Sequence, residues 1–190
     1  MVYGKDFIWL HLGKTGGTTT NYLFSQCLEL VEYYDLDTDP KKHENIAFHS
    51  RRFPDIDFTQ KKIILGFRKI ETWIVSHNNH FSHFIDESRI AELSQSGRVY
   101  SGPAGESKSP DQWLESYLQK PIDHFIRAEH LSEDFLTVMR NYGLIDDHKI
   151  KNCKRNRGDY KKSFSYTKKQ LQKIYEDNPL WMGIQNRIYD

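Results

Sequence analysis

The sequence predicts an α/β fold, specifically a three-layer, P-loop-like domain built around a central, mostly parallel sheet. The first observation is the apolar, strand-prone run at 7–12, which ends at Gly13 and is typical of a buried parallel strand. The second is the Gly- and Thr-rich turn that follows, which leads into apolar residues at helical spacing. The third is the same order of strand and helix at 62–84.

The remaining elements are predicted from local patterns along the chain. Short apolar runs predict strands at 46–48, 62–67 and 125–127. A helix from about 71 to 84 is expected after the second of these strands. The first helix is predicted from four apolar residues that share one face, Leu23, Cys27, Leu30 and Val31.

The C-terminal third carries signals for two helices. Ser132 is the expected N-cap of one helix, which Gly143 stops. Thr167 and Gln170 form a capping box for a last helix, which Pro179 ends. Both segments are therefore expected to pack as amphipathic helices.

Length and composition favour one domain that spans 1–190. The chain has 190 residues, of which 37% are hydrophobic and 28% charged, as in a globular protein with a real core. A stretch at 94–110 is rich in Ser, Gly and Pro and lacks periodicity, so it is predicted to be a loop. Its length favours a lid or substrate-facing segment over a domain linker.

Charge and cysteine content limit the partners and the compartment. The net charge is only +1, so no overall field commits the chain to nucleic acid or to an anionic membrane. Cys27 and Cys153 are both predicted to be thiols, which fits a reducing compartment. No apolar run reaches the ~20 residues of a membrane span, and no signal-peptide pattern opens the chain. We expect a cytoplasmic protein, although one whose membrane anchor had been removed would look the same.

The segment 13–20 reads Gly-Lys-Thr-Gly-Gly-Thr-Thr-Thr and lies where the first predicted strand gives way to a helix. Free N–H groups and the helix dipole favour a phosphate at such a position. Lys14 adds a positive charge, and the alternative is a turn with a solvated lysine. The order differs from a Walker A loop, in which Lys follows the glycines. The predicted cradle consists of Lys14, Thr15, Gly16, Gly17, Thr18 and Thr19.

Two later segments offer further groups for an anion. Arg68 ends the strand predicted at 62–67 and Ser76 lies about two turns into the next helix, so the two are expected to converge on one phosphate. From 149 to 169 there are nine Lys or Arg residues against one acid, Asp159. This composition indicates either a local anion site or a solvated basic face.

These motifs, in this order, resemble the sulfotransferases that use PAPS (3′-phosphoadenosine 5′-phosphosulfate), particularly their carbohydrate branch. Lys-Thr-Gly-Gly-Thr at 14–18 is similar to that family's 5′-phosphosulfate loop, with Gly13 in place of the usual proline. Arg68 and Ser76 resemble the pair that holds the donor's 3′-phosphate, although neighbouring positions depart from the family pattern. The stretch 125–144 resembles the family's late strand, turn and helix.

The resemblance implies a transfer of a sulfuryl group from PAPS to a hydroxyl or amine of an acceptor, with PAP (3′-phosphoadenosine 5′-phosphate) as product. The branch implies a carbohydrate acceptor. Lys14 would stabilise the charge on the leaving phosphate, and no metal is needed. A C-terminal loop that closes over the donor would supply Arg157 and Gly158. The implied donor-binding residues are Lys14, Thr15, Gly16, Gly17, Thr18, Thr19, Arg68, Ser76, Arg157 and Gly158.

The transfer also needs a base, which the family places soon after an early strand. His49 follows the strand predicted at 46–48 and is the expected catalytic base beside Lys14. Glu44, His43 and His11 compete for this role. Histidines recur every three residues at His77, His80 and His83 in a predicted helix. They lack a clear carboxylate or Cys partner, so we predict that they do not form a metal site.

Two other functions compete with this interpretation. A P-loop-type phosphotransferase or NTPase would share the strand, loop and helix, but the Walker A order is missing. A non-enzymatic polyanion-binding domain would use the basic segment 149–169 and its aromatic residues. That function leaves the Gly-rich loop unexplained.

Overall fold

The computed structural model describes residues 1–35, 38–102, 106–144 and 164–190. Two compact units divide these residues. The first, which we call the sheet unit, comprises Met1–Phe67 and the described residues from Tyr117 to 144. The second, the helical unit, comprises the described residues of Arg68–Ser116 and 164–190. Within the described ranges, no helix has both the length and the apolar composition that crossing a membrane requires.

The sheet unit contains a five-stranded sheet in the order β3-β1-β2-β4-β7. The strands of the chain are β1 (Val2–Tyr3), β2 (Phe7–Leu10), β3 (Tyr33–Tyr34), β4 (Lys62–Phe67), β5 (Val99–Tyr100), β6 (Ser107–Lys108) and β7 (His124–Arg127). β2, β4 and β7 pair in parallel, with Trp9 opposite Ile64 and Gly66 opposite Ile126. β1 pairs antiparallel with both β2 and β3, so it alone runs against the other four strands of this sheet.

Helices flank this sheet and make up most of the helical unit. They are α1 (Gly17–Phe24), α2 (Ile46–Arg52), α3 (Ile70–His80), α4 (Glu87–Gln95), α5 (Pro110–Glu115), α6 (Leu131–Arg140), α7 (Lys168–Asp177) and α8 (Pro179–Tyr189). Short 3₁₀ helices lie at Leu28–Leu30, Pro40–His43 and Ala128–His130. The prediction of an α/β fold with a mostly parallel central sheet is confirmed.

One face of the central sheet forms an apolar core with α1 and α6. Phe7 and Trp9 project from β2 on this face because alternate strand residues point the same way. Phe24 of α1 stacks on the Phe7 ring and meets Phe135 of α6 edge to face. The end of β7 is tied to the same helix, since Arg127 donates to both carboxylate oxygens of Asp134 at 2.8 and 2.7 Å. This core fixes the edge of the sheet from which the Gly-rich loop departs.

The strand predicted at 46–48 is wrong, because these residues open helix α2. Asn45 caps this helix, accepting a hydrogen bond from the backbone N–H of Phe48 at 3.0 Å. A run of three apolar residues is too short to distinguish a strand from one helical turn. His49 therefore lies inside a helix and not beyond a strand.

The other differences concern where elements begin and end. The first helix stops at Phe24, so Cys27 reaches the core from a turn and not from a helical face. α3 ends at His80, before the predicted boundary at 84. α6 begins at Leu131 without a side-chain cap, so Ser132 is a first-turn residue and not the N-cap.

In the helical unit, the predicted capping box at Thr167 and Gln170 is confirmed at the start of α7. Pro179 follows the end of that helix and begins α8, a helix that was not predicted from the sequence. Proline is favoured at a first helical position because it needs no N–H partner there. The stretch 94–110 contains the end of α4, the β5–β6 hairpin and the first residue of α5, so its prediction as one loop is wrong. The hairpin strands are two residues each, too short to show a period.

Candidate functional site

The Gly-rich loop joins the end of β2 to the start of α1. Within the described ranges, Lys14 is the one non-glycine residue with a positive φ, at 67°. Gly16 has a φ of 86° and is the N-cap of α1, whose first residue is Gly17. Left-handed backbone at a non-glycine residue is uncommon and persists where surrounding structure holds it. The loop thus turns sharply at the N-terminus of a helix, where N–H groups lack intrahelical partners.

Thr15 anchors the loop to the sheet. It is 1% exposed, and its hydroxyl donates to the backbone oxygen of Leu12 at 2.6 Å. β4 leaves room for it, because a Cβ at Gly66 would lie only 2.6 Å from the Thr15 Oγ1. Thr15 is therefore a structural pin of the loop, while Thr18 and Thr19 are half-buried in the first turn of α1.

Glycine is also required where the loop meets its neighbours. A Cβ at Gly17 would lie 1.5 Å from the Nε2 of His11, so the imidazole occupies the place of a side chain there. A Cβ at Gly16 would lie 2.5 Å from Leu131 Cδ1. The backbone oxygen of Gly16 accepts the N–H of Thr20 at 3.0 Å, which begins the hydrogen bonds of α1. These contacts hold the loop in one shape.

Two histidines and a tyrosine lie beside the loop. His11 is 3% exposed and its Nδ1 has no hydrogen-bond partner among the described residues. Burial, and next the charge of His43, hold the pKa of His11 well below its ordinary value. The His43 ring lies 4.2 Å from the His11 ring, centroid to centroid, and its Nδ1 is 3.2 Å from the His11 backbone oxygen. Tyr117 is buried, and its hydroxyl donates to the backbone oxygen of His43 and lies 3.4 Å from that of His11.

His49, the expected base, lies in the interior of the sheet unit. It is 0% exposed, and neither ring nitrogen has a hydrogen-bond partner among the described residues. Burial, and next the N-terminal ammonium, lower the pKa of His49 to about 4. Nearby, the buried Asp35 carboxylate pairs with that ammonium at 3.0 Å and with Arg52 at 2.9 Å. The surroundings of His49 are those of a neutral, buried imidazole.

Arg68 and Ser76 belong to the helical unit and lie near the start and middle of α3. The Arg68 Nε donates to the hydroxyl of Thr72 at 3.0 Å, and its backbone oxygen accepts the indole N–H of Trp181 at 3.1 Å. Ser76 is 1% exposed and lies one turn beyond Thr72. The start of α3 is further fixed by Gln185, whose side-chain oxygen accepts the N–H of Ile70 at 2.8 Å. Arg68 is half-buried, and Thr72 of α3 orients its guanidinium.

Several other predicted site residues fall outside or away from this geometry. Arg157 and Gly158 lie outside the described residues, as do Cys153 and most of the basic segment. Cys27 is a buried free thiol, and burial raises its pKa to about 12. His77 is buried, with its Nε2 3.0 Å from the backbone oxygen of Tyr100. No group of His, Cys, Asp or Glu residues within the described ranges is arranged to hold a metal ion.

No sequence motif points to Tyr117, which follows the short helix α5. Its role depends on two backbone oxygens more than 70 residues away along the chain, and no local pattern reports such a contact.

Comparisons with protein-family models, curated proteins and solved structures find no match to this chain.

Proposed function

We propose that this protein is a sulfotransferase that moves a sulfuryl group from PAPS to a hydroxyl or amine, with a carbohydrate as the acceptor class. The observation that carries the proposal is the loop at 13–20, in which a left-handed Lys14 precedes the N-terminus of α1. Backbone N–H groups, a lysine charge and threonine hydroxyls together suit a phosphosulfate. The finer fold class, a three-layer P-loop-like domain, and a cytoplasmic location belong to the same proposal.

Within this proposal, residues of the sheet unit take the 5′-phosphosulfate. These are Lys14, Thr15, Gly16, Gly17, Thr18 and Thr19. Arg68 and Ser76 are assigned to the donor's 3′-phosphate, and Arg157 with Gly158 to a loop over the donor. Lys14 stabilises the negative charge that develops on the leaving phosphate oxygen as the sulfur–oxygen bond breaks. The base is a residue of the sheet unit, with His49, His43, Glu44 and His11 as the candidates.

The two competing functions have weaker support. A phosphotransferase or NTPase would use Lys after paired glycines, whereas Lys14 comes before Gly16 and Gly17. A polyanion-binding domain would depend on basic residues that lie mostly outside the described ranges. It would also leave the strained backbone at Lys14 without a use.

The experiment that tests the proposal compares Lys14→Ala with Lys5→Ala, an exposed lysine before β2. Release of PAP from PAPS is followed by chromatography with D-glucosamine, which offers both hydroxyls and an amine. Lys14→Ala should lower turnover by two or more orders of magnitude, as expected when a preorganised charge is removed, whereas Lys5→Ala keeps it. Equal turnover in both variants would refute the assignment of the loop.

A further inference from the structure

His43 is the exposed imidazole next to the Gly-rich loop. It ends the 3₁₀ helix Pro40–His43, and its ring faces the residue before Lys14. A Cβ at Gly13 would lie 3.7 Å from the His43 Nδ1 and 3.8 Å from its Cε1, which is ordinary van der Waals contact. The ring is thus adjacent to the loop without blocking it.

The hydrogen bond of His43 fixes which ring nitrogen carries the proton. Nδ1 lies 3.2 Å from the backbone oxygen of His11, and a carbonyl oxygen can only accept. Nδ1 must therefore be the protonated nitrogen of the neutral ring, which leaves the lone pair on Nε2. This is the tautomer that a proton acceptor needs.

Tyr117 holds the two segments that set this geometry. Its hydroxyl lies against the backbone oxygens of both His11 and His43, so it links the end of β2 to the 3₁₀ helix. The side chain is 3% exposed, and burial raises the pKa of its phenol, so it is a neutral group at physiological pH. A neutral donor at this position restrains the backbone of His43 beside the end of β2.

His49 lacks each of these features. It is 0% exposed, so an acceptor hydroxyl in solvent does not reach its ring in this structure. His11 is also buried, with Nε2 against the Gly17 backbone. Glu44 is exposed but no described contact directs its carboxylate to the loop.

We propose that His43, whose ring is oriented by the His11 backbone oxygen and whose backbone is held by Tyr117, is the base that takes the proton of the sulfate acceptor. This inference rests on the proposed function. The acceptor's O–H or N–H proton passes to Nε2 while the acceptor atom forms a bond to sulfur. The bond from sulfur to the 5′-phosphate oxygen breaks, its electron pair stays on PAP, and the resulting imidazolium returns its proton to water. Tyr117 is a positioning residue.

The experiment compares His43→Ala, Tyr117→Phe and the exposed His83→Ala as a matched control. PAP affinity is measured by calorimetry, and turnover of PAPS with water and with D-glucosamine is measured from pH 5 to 9. His43→Ala should bind PAP as the wild type does and lose ~10²- to 10⁴-fold in kcat, the usual contribution of a general base. Added imidazole should restore part of that loss in His43→Ala and none in Lys14→Ala. His83→Ala should behave as the wild type.

Tyr117→Phe keeps the buried ring and removes the hydroxyl. It should lower kcat with little change in PAP affinity and shift the acid limb of the pH–rate profile, whereas a purely structural tyrosine would lower only the melting temperature. Two outcomes would overturn the assignment of His43 while leaving donor binding intact. One is a wild-type kcat in His43→Ala. The other is a wild-type protein that binds PAP but releases none from PAPS above the rate in buffer. A wild-type protein that does not bind PAP would overturn the proposed function itself.

Discussion

The buried imidazole of His49 makes a specific prediction about stability and pH. Its pKa is lowered from 6.5 to about 4, so between these values the unfolded chain holds a proton that the folded chain does not. The free energy of unfolding therefore falls as the pH drops through this window. A difference of about 2.5 pKa units corresponds to about 3 kcal/mol, a large part of the ~5–15 kcal/mol that stabilises a typical domain.

His49→Leu should remove this contribution. At pH 7.5 the variant should unfold at a similar or higher urea concentration, because two buried ring nitrogens without partners are replaced by apolar atoms. Between pH 7.5 and pH 4.5 it should lose about 2–3 kcal/mol less than the wild type. His11 is also buried with a lowered pKa, so some acid sensitivity remains in the variant.

The assay is urea unfolding followed by tryptophan fluorescence at several pH values, with linear extrapolation to water. His83→Leu, which changes an exposed ring, serves as the control and should follow the wild-type pH dependence. If wild type and His49→Leu lose the same free energy on acidification, His49 is not a buried neutral imidazole and the reasoning is refuted. A loss of ~10²-fold or more in PAPS turnover at unchanged stability would return His49 to the role of base.

Three further predictions concern two glycines and the buried ion pair of Asp35. Gly17→Ala should abolish PAP binding and lower stability because the new Cβ would overlap the His11 ring, and calorimetry that finds normal PAP affinity would contradict the loop geometry. A Cβ at Gly183 would have nothing within 4 Å, so Gly183→Ala should stabilise α8 by about 0.5–1 kcal/mol. Thermal unfolding measures the stability of both variants. Asp35→Asn removes the buried carboxylate that pairs with the N-terminal ammonium and with Arg52. It should lower the free energy of unfolding in urea at pH 7 by about 3–5 kcal/mol. An unchanged unfolding midpoint would contradict a stabilising role for these ion pairs.

The parts of the fold that the sequence predicts correctly are those with long or distinctive local signals. The run at 62–67 is apolar and bounded, and it forms β4 at those residues. The capping box at Thr167 is a local reciprocal hydrogen bond, so four residues are enough to identify it. The Gly-rich segment at 13–20 is equally local: residues 13–16 lie between β2 and α1, and residues 17–20 form the first turn of α1.

The parts that could not be predicted depend on distant contacts or on very short elements. Whether Ile46 begins a strand or a helix depends on the Asn45 cap and on packing, which three apolar residues do not report. The two-residue strands β5 and β6 are equally too short to show a period. The burial of His49 and the contacts of Tyr117 come from tertiary packing. His49 was expected to be the base because it follows the strand predicted at 46–48, which is where the resembling family places its base.

The proposed function requires that the protein recognises a nucleotide with a 5′-phosphate group and a 3′-phosphate. Calorimetry with PAP, and with ATP in the presence and absence of Mg²⁺, measures this recognition. PAP should bind at least tenfold more tightly than ATP, a difference of about 1.4 kcal/mol or more in binding free energy, and it should bind without Mg²⁺. Equal affinity for the two nucleotides, or binding of ATP that depends on Mg²⁺, would contradict it and favour a phosphotransferase.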